Sequence, residues 1–405
     1  MPETTLLEHI LSPVSLDEFL EKYREQDYLF LQREAPDHFG DLFTLADVDS
    51  VLATLSTHSL SLLTVVPPPD SGRKTERLRA AEITAKELYE GFENGDTLVI
   101  NRLQTYWPPL TRLAMDLESK LFCRVNANLY FTPADSQGFG VHIDDHDVFV
   151  LQVDGAKDWY LYESEESLPI EKIKIESGLS VPQPDWGDGE PPLRQKHTVA
   201  KGDFLYVPRG IPHKAVATPG HPSVHITVGI HPIVWMDALK IAVEAAALED
   251  IEFRRGLPRE FFADPEARDA LAETFKGLLE RLGEQDVFDR VHRLIRRKRL
   301  ERPILPPDGH FAQLLRLQEI DADTRLEVRV GLNPRVEQEE KIARIHYADY
   351  SVQGPLPTIN MLTYIAEHRS FVVSELPGPY DVKSNLVMVR RLVKEGLLRQ
   401  VESSE

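Results

Sequence analysis

GFGVHIDDHDVFVLQV, residues 138–153, combines β-branched and aromatic residues with a His-x-Asp pair, His142 and Asp144. Such a composition predicts a β-strand. Because side chains two positions apart share one face of a strand, the imidazole and the carboxylate should point to the same side. His146 would share that face in an unbent strand, so it competes as a third ligand unless a bend turns it away.

A second stretch, GDFLYVPRGIPHKAV at residues 202–216, predicts another strand that is followed by His213. Gly202-Asp203 indicates a hairpin turn before that strand. Two imidazoles and one carboxylate on one face of an octahedron form the ligand set of non-haem Fe(II) oxygenases, with open positions for a co-substrate and dioxygen. We therefore predict that His142, Asp144 and His213 hold a metal inside a small antiparallel barrel.

A His-x-Asp pair does not identify a metal site by itself, since the chain contains 14 histidines. The second stretch supports the hypothesis because both halves of the ligand set then lie on strands. The alternative is that these histidines are ordinary strand residues.

The length of 405 residues predicts two or three domains, and a hydrophobic content of 42% is enough for real cores. The apolar runs are too short or too interrupted to cross a membrane. The N-terminus lacks the basic start and apolar stretch of a secretory signal. The single cysteine, Cys123, excludes an intrachain disulfide, fits a cytoplasmic protein and is expected in the core.

The formal net charge of −20 disfavours nucleic acid as a partner and favours a basic protein or peptide. The alternative is an acidic surface with no specific partner. A local basic run, VHRLIRRKRLER at residues 291–302, could contact nucleic acid or an acidic surface, but a solvated helix face or an intramolecular salt-bridge partner is the expected explanation in so acidic a chain.

The chain changes character three times along its length. A mixed α/β segment runs to about residue 100. Strand patterns are dense from 121 to 232, interrupted at 163–200 by an acidic, Pro- and Gly-rich stretch that we interpret as a long surface loop. Ala-rich helical patterns follow from 234. The ending RRLVKEGLLRQVE, residues 390–402, has the helix, glycine turn and strand of a winged-helix module.

ANLYFTPADSQGFGVHIDDHDVFVLQVDGAKDWYLY, residues 127–162, resembles the core of the JmjC-type cupin 4 family of ribosomal oxygenases. The opening SPVSLDEFLEKYREQDYLFLQ, the GDFLYVPRGIPHKA segment, the middle helices and the winged-helix pattern match the same domain order. The resemblance thus covers nearly the whole chain. Ile143 departs from the family, in which many members carry Tyr at that position, but its side chain should point away from the metal.

The resemblance implies an α+β fold built on a double-stranded β-helix, the cupin or JmjC barrel. It implies a JmjC/cupin catalytic domain over residues 1–233, which includes the N-terminal α/β segment. A helical dimerisation domain over 234–303 and a winged-helix-like domain over 304–405 would follow. Protein contact is then the expected use of the winged helix, and direct nucleic-acid binding is not expected.

The same resemblance implies Fe(II) as the metal and 2-oxoglutarate as the co-substrate. Lys157 matches the basic residue that pairs with the distal carboxylate of 2-oxoglutarate, a pairing that a buried carboxylate needs. Asn128 and Thr227 match positions that hydrogen-bond the co-substrate, and Tyr130 would line the pocket. The ordinary alternatives are a surface lysine and common strand residues.

The implied activity is hydroxylation of an arginine or histidine in a basic ribosomal protein by a homodimeric, cytoplasmic enzyme without a membrane anchor. Three alternatives stay open at this point. They are an N-methyl demethylase that uses the same chemistry, a metal-binding cupin without catalysis, and a scaffold whose helices and winged helix perform the function.

Overall fold

The computed structural model describes residues 5–401 except 56–62, 79–82, 165–166, 172–185, 187–188, 260, 262–267, 301–307, 333 and 348–349. The side chains of residues 268–270 and 296–300 also lie outside the description, and with them most of the basic run noted above. The chain divides into two compact units, Met1–Pro232 and Ile233–Glu405. The expected domain boundary at 303–304 falls outside the described residues, so the division into three domains stays a prediction.

The first unit begins with short helices and then builds one large antiparallel sheet. Its helices are α1 Leu6–Leu11, α2 Leu16–Lys22, α3 Asp47–Leu55, α4 Ala85–Glu93 and α5 Pro108–Leu121. Its strands are β1 Leu29–Leu31, β2 Leu63–Val66, β3 Glu76–Leu78, β4 Thr97–Ile100, β5 Cys123–Thr132, β6 Asp147–Tyr162, β7 Leu193–Ala200, β8 Phe204–Val207, β9 His213–Ala217 and β10 Ser223–Pro232.

Strand β6 organises this 10-stranded sheet because each of its halves has its own pair of neighbours. Its first half pairs with β8 on one side and β10 on the other. Its second half pairs with β7 and β9. Strand β10 also pairs with β5, which continues the sheet through β4 and β2 to β3. The mixture of helices and antiparallel strands agrees with the predicted α+β class.

The strand predicted across residues 138–153 needs correction. It begins only at Asp147 and continues without a break to Tyr162. His142 forms only an isolated bridge with His213. Asp144 belongs to no strand. The physical reason is that residues 142–146 bond to the 209–213 turn instead of extending the ladder, as described below.

Gly202-Asp203 does not form a hairpin turn. It connects β7 to β8, and both strands run antiparallel to the same partner, β6, so the dipeptide is an interruption within one edge. Gly202 has a φ of +90°, which favours glycine, and its N–H donates to the Gln152 carbonyl. Asp203 accepts hydrogen bonds from the backbone N–H groups of Arg33 and Ala200, which fixes the interruption in place.

The predicted surface loop at 163–200 is shorter than expected, because residues 193–200 form β7. Its two ends meet where the Glu163 N–H donates to the Pro192 carbonyl over 2.9 Å. Within the loop, the buried Glu171 reaches back to the sheet, where a carboxylate oxygen lies 3.4 Å from an Arg124 guanidinium nitrogen. The strand pairing therefore closes the loop at its base.

The hydrophobic core of the first unit joins the N-terminal helices to the sheet. Phe19 of α2 packs edge-on against Phe149 of β6 and Tyr206 of β8. Helix α5 contributes Leu113 and Leu117, both at most 1% exposed, to the same cluster. Cys123 is buried there, as predicted. These helices cover one face of the sheet, so the other face is available to functional side chains.

The second unit contains helices and two small sheets. Its helices are α6 Trp235–Glu249, α7 Arg268–Leu282, α8 Gln285–Leu300, α9 His310–Leu315, α10 Ile359–Glu367 and α11 Val382–Lys394. Its strands are β11 Arg325–Val328, β12 Arg335–Gln338, β13 Ile342–Tyr347, β14 Tyr350–Pro355, β15 Ser370–Val372 and β16 Leu398–Gln400. The two sheets have the orders β15-β11-β16 and β12-β13-β14. Among the described helices of the chain, none has the length and apolarity needed to span a bilayer.

Replacing Gly202 by Ala should destabilise the protein more than replacing Gly220 by Ala. Both glycines have a positive φ, so each substitution incurs left-handed strain of about 1–2 kcal/mol. A Cβ at Gly202 would also lie 2.2 Å from the Ala35 carbonyl oxygen, whereas one at Gly220 meets nothing within 4 Å. We expect a further loss of about 1–3 kcal/mol for Gly202→Ala from overpacking, measured as the free energy of unfolding in urea. Equal losses in the two variants would contradict the close approach.

Candidate metal centre

His142, Asp144 and His213 bring their ligand atoms together, each within 4.8 Å of the others. The Nε2 atom of His142 lies 4.0 Å from one carboxylate oxygen of Asp144. The Nε2 atom of His213 lies 3.6 Å from the other. Two neutral imidazoles and one carboxylate converging on one point are a donor set that suits a divalent transition metal.

The tautomer of each histidine follows from its hydrogen bond. The Nδ1 atom of His142 lies 2.9 Å from the Gly140 carbonyl oxygen, and that of His213 lies 2.9 Å from the Ile211 carbonyl oxygen. Because a carbonyl only accepts, both Nδ1 atoms carry the proton. In the neutral form of each ring the lone pair is then on Nε2, the atom that faces the cluster, an arrangement that metal-ligating histidines commonly share.

Backbone pairing holds the two ligand segments against each other. The His142 N–H donates to the His213 carbonyl over 3.1 Å, and the His213 N–H donates back to the His142 carbonyl over 2.9 Å. The Gly210 N–H donates to the Asp144 carbonyl over 3.2 Å. Asp144 therefore reaches the site from an irregular segment that is fixed by bonds to the turn before His213.

The electrostatic surroundings keep the donors in the forms that bind metal. Burial, with the neighbouring His142, lowers the pKa of His213 to about 4, so its imidazole is neutral near pH 7. Burial alone would raise the pKa of Asp144, but the imidazoles of His213, His146 and His142 hold it below its usual value. The carboxylate is therefore ionised at neutral pH.

His146, the competing ligand, is not part of this cluster among the described residues. Its ring stacks on His231 with centroids 4.6 Å apart, and its Nδ1 lies 3.3 Å from an Asp145 carboxylate oxygen. Gly229 makes this stacking possible, because a Cβ there would come within 2.7 Å of the His146 ring. The irregular course of residues 142–146 is the bend that turns the side chain toward His231.

Lys157 lies on β6 with only 3% of its surface exposed. Its ammonium group donates to the Thr132 hydroxyl over 2.9 Å, and no carboxylate of the described residues forms an ion pair with it. Burial lowers the pKa of Lys157 to about 7. A buried cation without a counter-charge is costly, so this position is suited to receive an anion.

The remaining predicted residues face one another across β5 and β10. Asn128 is the register partner of Thr227, and Tyr130 is the partner of His225. The rings of Tyr130 and His225 are stacked, with centroids 4.9 Å apart. Burial and the charge of Asp144 raise the pKa of Tyr130, which sets the phenol near the metal ligands. The Asn128 side-chain oxygen already accepts the Arg102 N–H, so it retains limited capacity for a ligand.

Sequence reasoning missed three residues of the site: Thr132, Trp159 and His225. Trp159 stacks on His213 and meets His225 edge-on, with centroids 5.7 and 5.8 Å apart. The Trp159 Nε1 and the His225 Nδ1 are buried and have no hydrogen-bond partner in the described part of the chain. The two-residue period of a strand could have found them, since Trp159 follows Lys157 by two positions and His225 precedes Thr227 by two.

The depressed pKa of Lys157 predicts a specific pH dependence of stability. From about pH 7 to the ordinary lysine pKa, the unfolded chain binds the proton and the folded chain does not, so stability rises with pH. The free energy of unfolding of the wild type minus that of Lys157→Met should therefore rise from pH 7.5 to 9.5, by up to about 1.4 kcal/mol per pH unit. Urea unfolding at several pH values measures this difference.

Lys196→Met is the matched control, because Lys196 is exposed and pairs with Asp158, which raises its pKa. Its difference from the wild type should stay flat over the same pH range. A flat difference for Lys157→Met as well would mean that Lys157 is not a desolvated cation.

Comparison with known proteins agrees with this geometry. The profile of the JmjC domain family, JmjC_2, matches residues 102–237. Ribosomal oxygenase 1 of Rattus norvegicus is 32% identical over 303 residues, which are 71% of this chain and 49% of that protein. The bifunctional lysine-specific demethylase and histidyl-hydroxylase NO66 of Aedes aegypti is 29% identical over 313 residues, 74% of this chain and 48% of that protein. The chain thus spans about half the length of these curated relatives.

Solved structures show the same fold at lower identity. The Escherichia coli ribosomal oxygenase YcfD superimposes with a TM-score of 0.55 and 18% identity, covering 96% of this chain and 98% of that one. A structure of YcfD with cobalt and 2-oxoglutarate gives a TM-score of 0.53 at 16% identity, covering 96% and 99%. The predicted JmjC/cupin fold is confirmed. Residues 102–237 are a JmjC domain, and the chain resembles the ribosomal oxygenases in sequence and in fold.

Proposed function

We propose that this protein is an Fe(II)- and 2-oxoglutarate-dependent oxygenase that hydroxylates a protein side chain. The observation that carries the proposal is the combination of two features in one cluster. His142, Asp144 and His213 converge, and each imidazole uses Nδ1 for a hydrogen bond to a backbone carbonyl, which leaves Nε2 to face the cluster. Lys157 is a buried ammonium group that forms no ion pair among the described residues.

The residues present fit both groups. The triad would bind the metal on one face and leave the opposite face open. Lys157 would bind the distal carboxylate of 2-oxoglutarate, while Trp159 Nε1 and His225 Nδ1 offer further hydrogen-bonding capacity beside it. Asn128, Thr227 and Tyr130 would line the space between the metal and Lys157.

When bound, iron and 2-oxoglutarate together would supply the activation of dioxygen that inserts one oxygen atom into a C–H bond. The protein orients the reactants and excludes water. The ionised carboxylate of Asp144 and the neutral imidazole of His213 suit a divalent cation. Lys157 then neutralises the far end of the co-substrate, which lowers the free-energy cost of burying its carboxylate.

We propose arginine or histidine of a basic ribosomal protein as the target. The formal net charge of −20 would attract a basic substrate at long range. Two of the relatives above carry the names ribosomal oxygenase and histidyl-hydroxylase, which supports a ribosomal target. Cytoplasmic location is part of the same proposal and is consistent with a lone, buried thiol at Cys123.

N-methyl demethylation is the second candidate, because the NO66 relative is also named a lysine-specific demethylase. The product mass separates the two activities, since hydroxylation adds about 16 mass units and demethylation removes about 14. A metal-binding cupin without catalysis is the third candidate. It would bind the metal and form no succinate.

Anaerobic addition of Fe(II) and 2-oxoglutarate should give the visible charge-transfer band of iron bound to a 2-oxo acid. The band should disappear in His213→Ala and Asp144→Ala, because each removes a ligand. Succinate formation in air should disappear in the same variants. Absorption spectroscopy and a succinate assay make these measurements.

His146→Ala is the control for this experiment, because its imidazole stacks on His231 and lies outside the triad. The band should persist in that variant. Loss of the band in His146→Ala, or continued co-substrate consumption in Asp144→Ala, would overturn the assignment of ligands. Absence of the band in iron-loaded wild-type protein would leave the non-catalytic cupin.

We propose that the helices of residues 234–303 form a homodimer interface. Helix α6 packs its small residues Ala238 and Ala242 toward α8, while Trp235 and Leu239 are 77% and 59% exposed. Phe275 of α7 is 63% exposed. Contiguous exposed apolar side chains of this size are typical of protein–protein contacts.

We further propose that residues 304–405 form a winged-helix-like domain that contacts protein. Helix α11 ends before Gly396, whose φ of +87° makes the turn into β16. Strand β11 lies between β15 and β16 in a small sheet, as a wing-bearing module requires.

Leu239→Glu should dissociate the dimer, because a carboxylate buried without a partner costs several kcal/mol. Sedimentation equilibrium at a series of protein concentrations measures the change. Val387→Glu on α11 is the control, since Val387 is 71% exposed but lies outside the proposed interface. Dissociation by Val387→Glu, with Leu239→Glu still dimeric, would move the interface to the C-terminal domain.

A further inference from the structure

A group of three charges, of which Arg209 and Asp147 are buried and Glu25 is exposed, links the two segments that carry the metal ligands. The Arg209 guanidinium is 5% exposed and its Nη1 donates to a carboxylate oxygen of Asp147 over 3.1 Å. Its Nη2 lies 2.7 Å from a carboxylate oxygen of Glu25. The backbone N–H of Arg209 donates to the same Asp147 oxygen over 3.0 Å. Asp147 is 1% exposed, so the pair is fully removed from water.

These charges connect the two segments that present the metal ligands. Asp147 is the first residue of β6 and directly follows the irregular segment that contains His142 and Asp144. Arg209 belongs to the turn that leads into His213. The Arg209–Asp147 pair thus joins the end of one ligand segment to the beginning of the other.

The irregular segment needs such a connection. A ligand on a regular strand is held by the ladder of hydrogen bonds on both sides, but Asp144 belongs to no strand. Its backbone is held by one bond from Gly210, the residue next to Arg209. A change in the position of Arg209 would therefore move that bond, and with it the Asp144 carboxylate relative to His213.

Glu25 extends the group to the N-terminal helices. Glu25 has a φ of +58° just after α2, and its N–H donates to the Tyr206 hydroxyl over 3.0 Å. Tyr206 lies on β8, directly before the turn that carries Arg209. Glu25 is therefore held by its backbone N–H and by its carboxylate, which gives the Arg209 guanidinium a defined position.

We propose that Arg209 is a positioning residue that, through Asp147 and Glu25, sets the separation of Asp144 from His213 and so the affinity for the metal. This inference rests on the proposed metal site. Residues that orient metal ligands without touching the metal commonly change metal affinity by roughly 10–100-fold when they are replaced.

Titration of the full-length protein with Co(II) tests this proposal. Cobalt gives a visible spectrum that reports the geometry of its ligands. In Arg209→Met we expect the dissociation constant for Co(II) to rise roughly 10–100-fold and the visible band to change in shape. Arg209→Lys keeps the charge but loses the planar donor pair, so it should recover part of the affinity.

Arg329→Met is the matched control. Arg329 forms a buried pair with Asp308, with side chains 7% and 6% exposed, and lies in the other unit of the chain. It should lower the melting temperature and leave the affinity for Co(II) and its spectrum as in the wild type. A role of Arg209 in positioning the ligands predicts that Co(II) binding changes in Arg209→Met and stays as in the wild type in Arg329→Met.

The outcomes are distinct. Wild-type affinity and an unchanged spectrum in Arg209→Met would overturn the positioning role, as would an equal loss of affinity in Arg329→Met. If Arg209→Met does not fold, Arg209→Lys and Glu25→Gln decide, and unchanged Co(II) binding in both would overturn the proposal. Failure of the wild type to bind Co(II) would instead overturn the metal site itself.

Discussion

The reciprocal backbone hydrogen bonds between His142 and His213 are the constraint on which the candidate site depends. They join two segments that are far apart in the chain and bring their side chains to one point. Strand β9 pairs with the second half of β6, where His213 is the register partner of Leu161, and this pairing places His213 in the sheet. The position of the metal ligands is therefore a property of the whole sheet.

Burial supplies the chemistry of the cluster. It keeps His213 neutral and it depresses the pKa of Lys157 to about 7, in each case because a charge is poorly solvated away from water. Burial alone would raise the pKa of Asp144, but the charges of the neighbouring imidazoles in their protonated forms hold it below its usual value, so the carboxylate is ionised at neutral pH. The cluster thus combines an anionic carboxylate, a neutral imidazole at His213 and a lysine with a pKa of about 7.

The sequence predicted the donor atoms better than the backbone that carries them. The residue types of His142, Asp144 and His213 indicate metal binding wherever they meet, and strand composition located β8 and the strand-dense region of residues 121–232. The irregular path of residues 142–146 was not predictable, because VHIDD has ordinary strand composition. Its departure from the ladder depends on a bond from the distant Gly210.

Contacts between distant parts of the chain, which local composition does not predict, also explain the interruption at Gly202 and the surroundings of Lys157. Gly-Asp is a common hairpin signal, and only the contact of Gly202 with Ala35 and β6 shows that the chain continues along the same edge. Trp159 and His225 lie two positions from predicted residues. The strand period could have placed both residues on the face of their predicted neighbours, but the stacking of His225 on Tyr130 follows only from the register of β5 on β10.

The hydrogen bond between Glu163 and Pro192 closes the loop at its base and so separates the loop from the strands beside the metal ligands. The loop between them can change in length at little cost in chain entropy, about 0.6 kcal/mol for a doubling of its length. Because β6 and β7 are paired up to that point, such changes do not reach the metal ligands. Glu171 shows that the loop contacts the sheet beside His231. Insertion or deletion in this loop would therefore alter the surface beside His231 and leave the metal ligands in place.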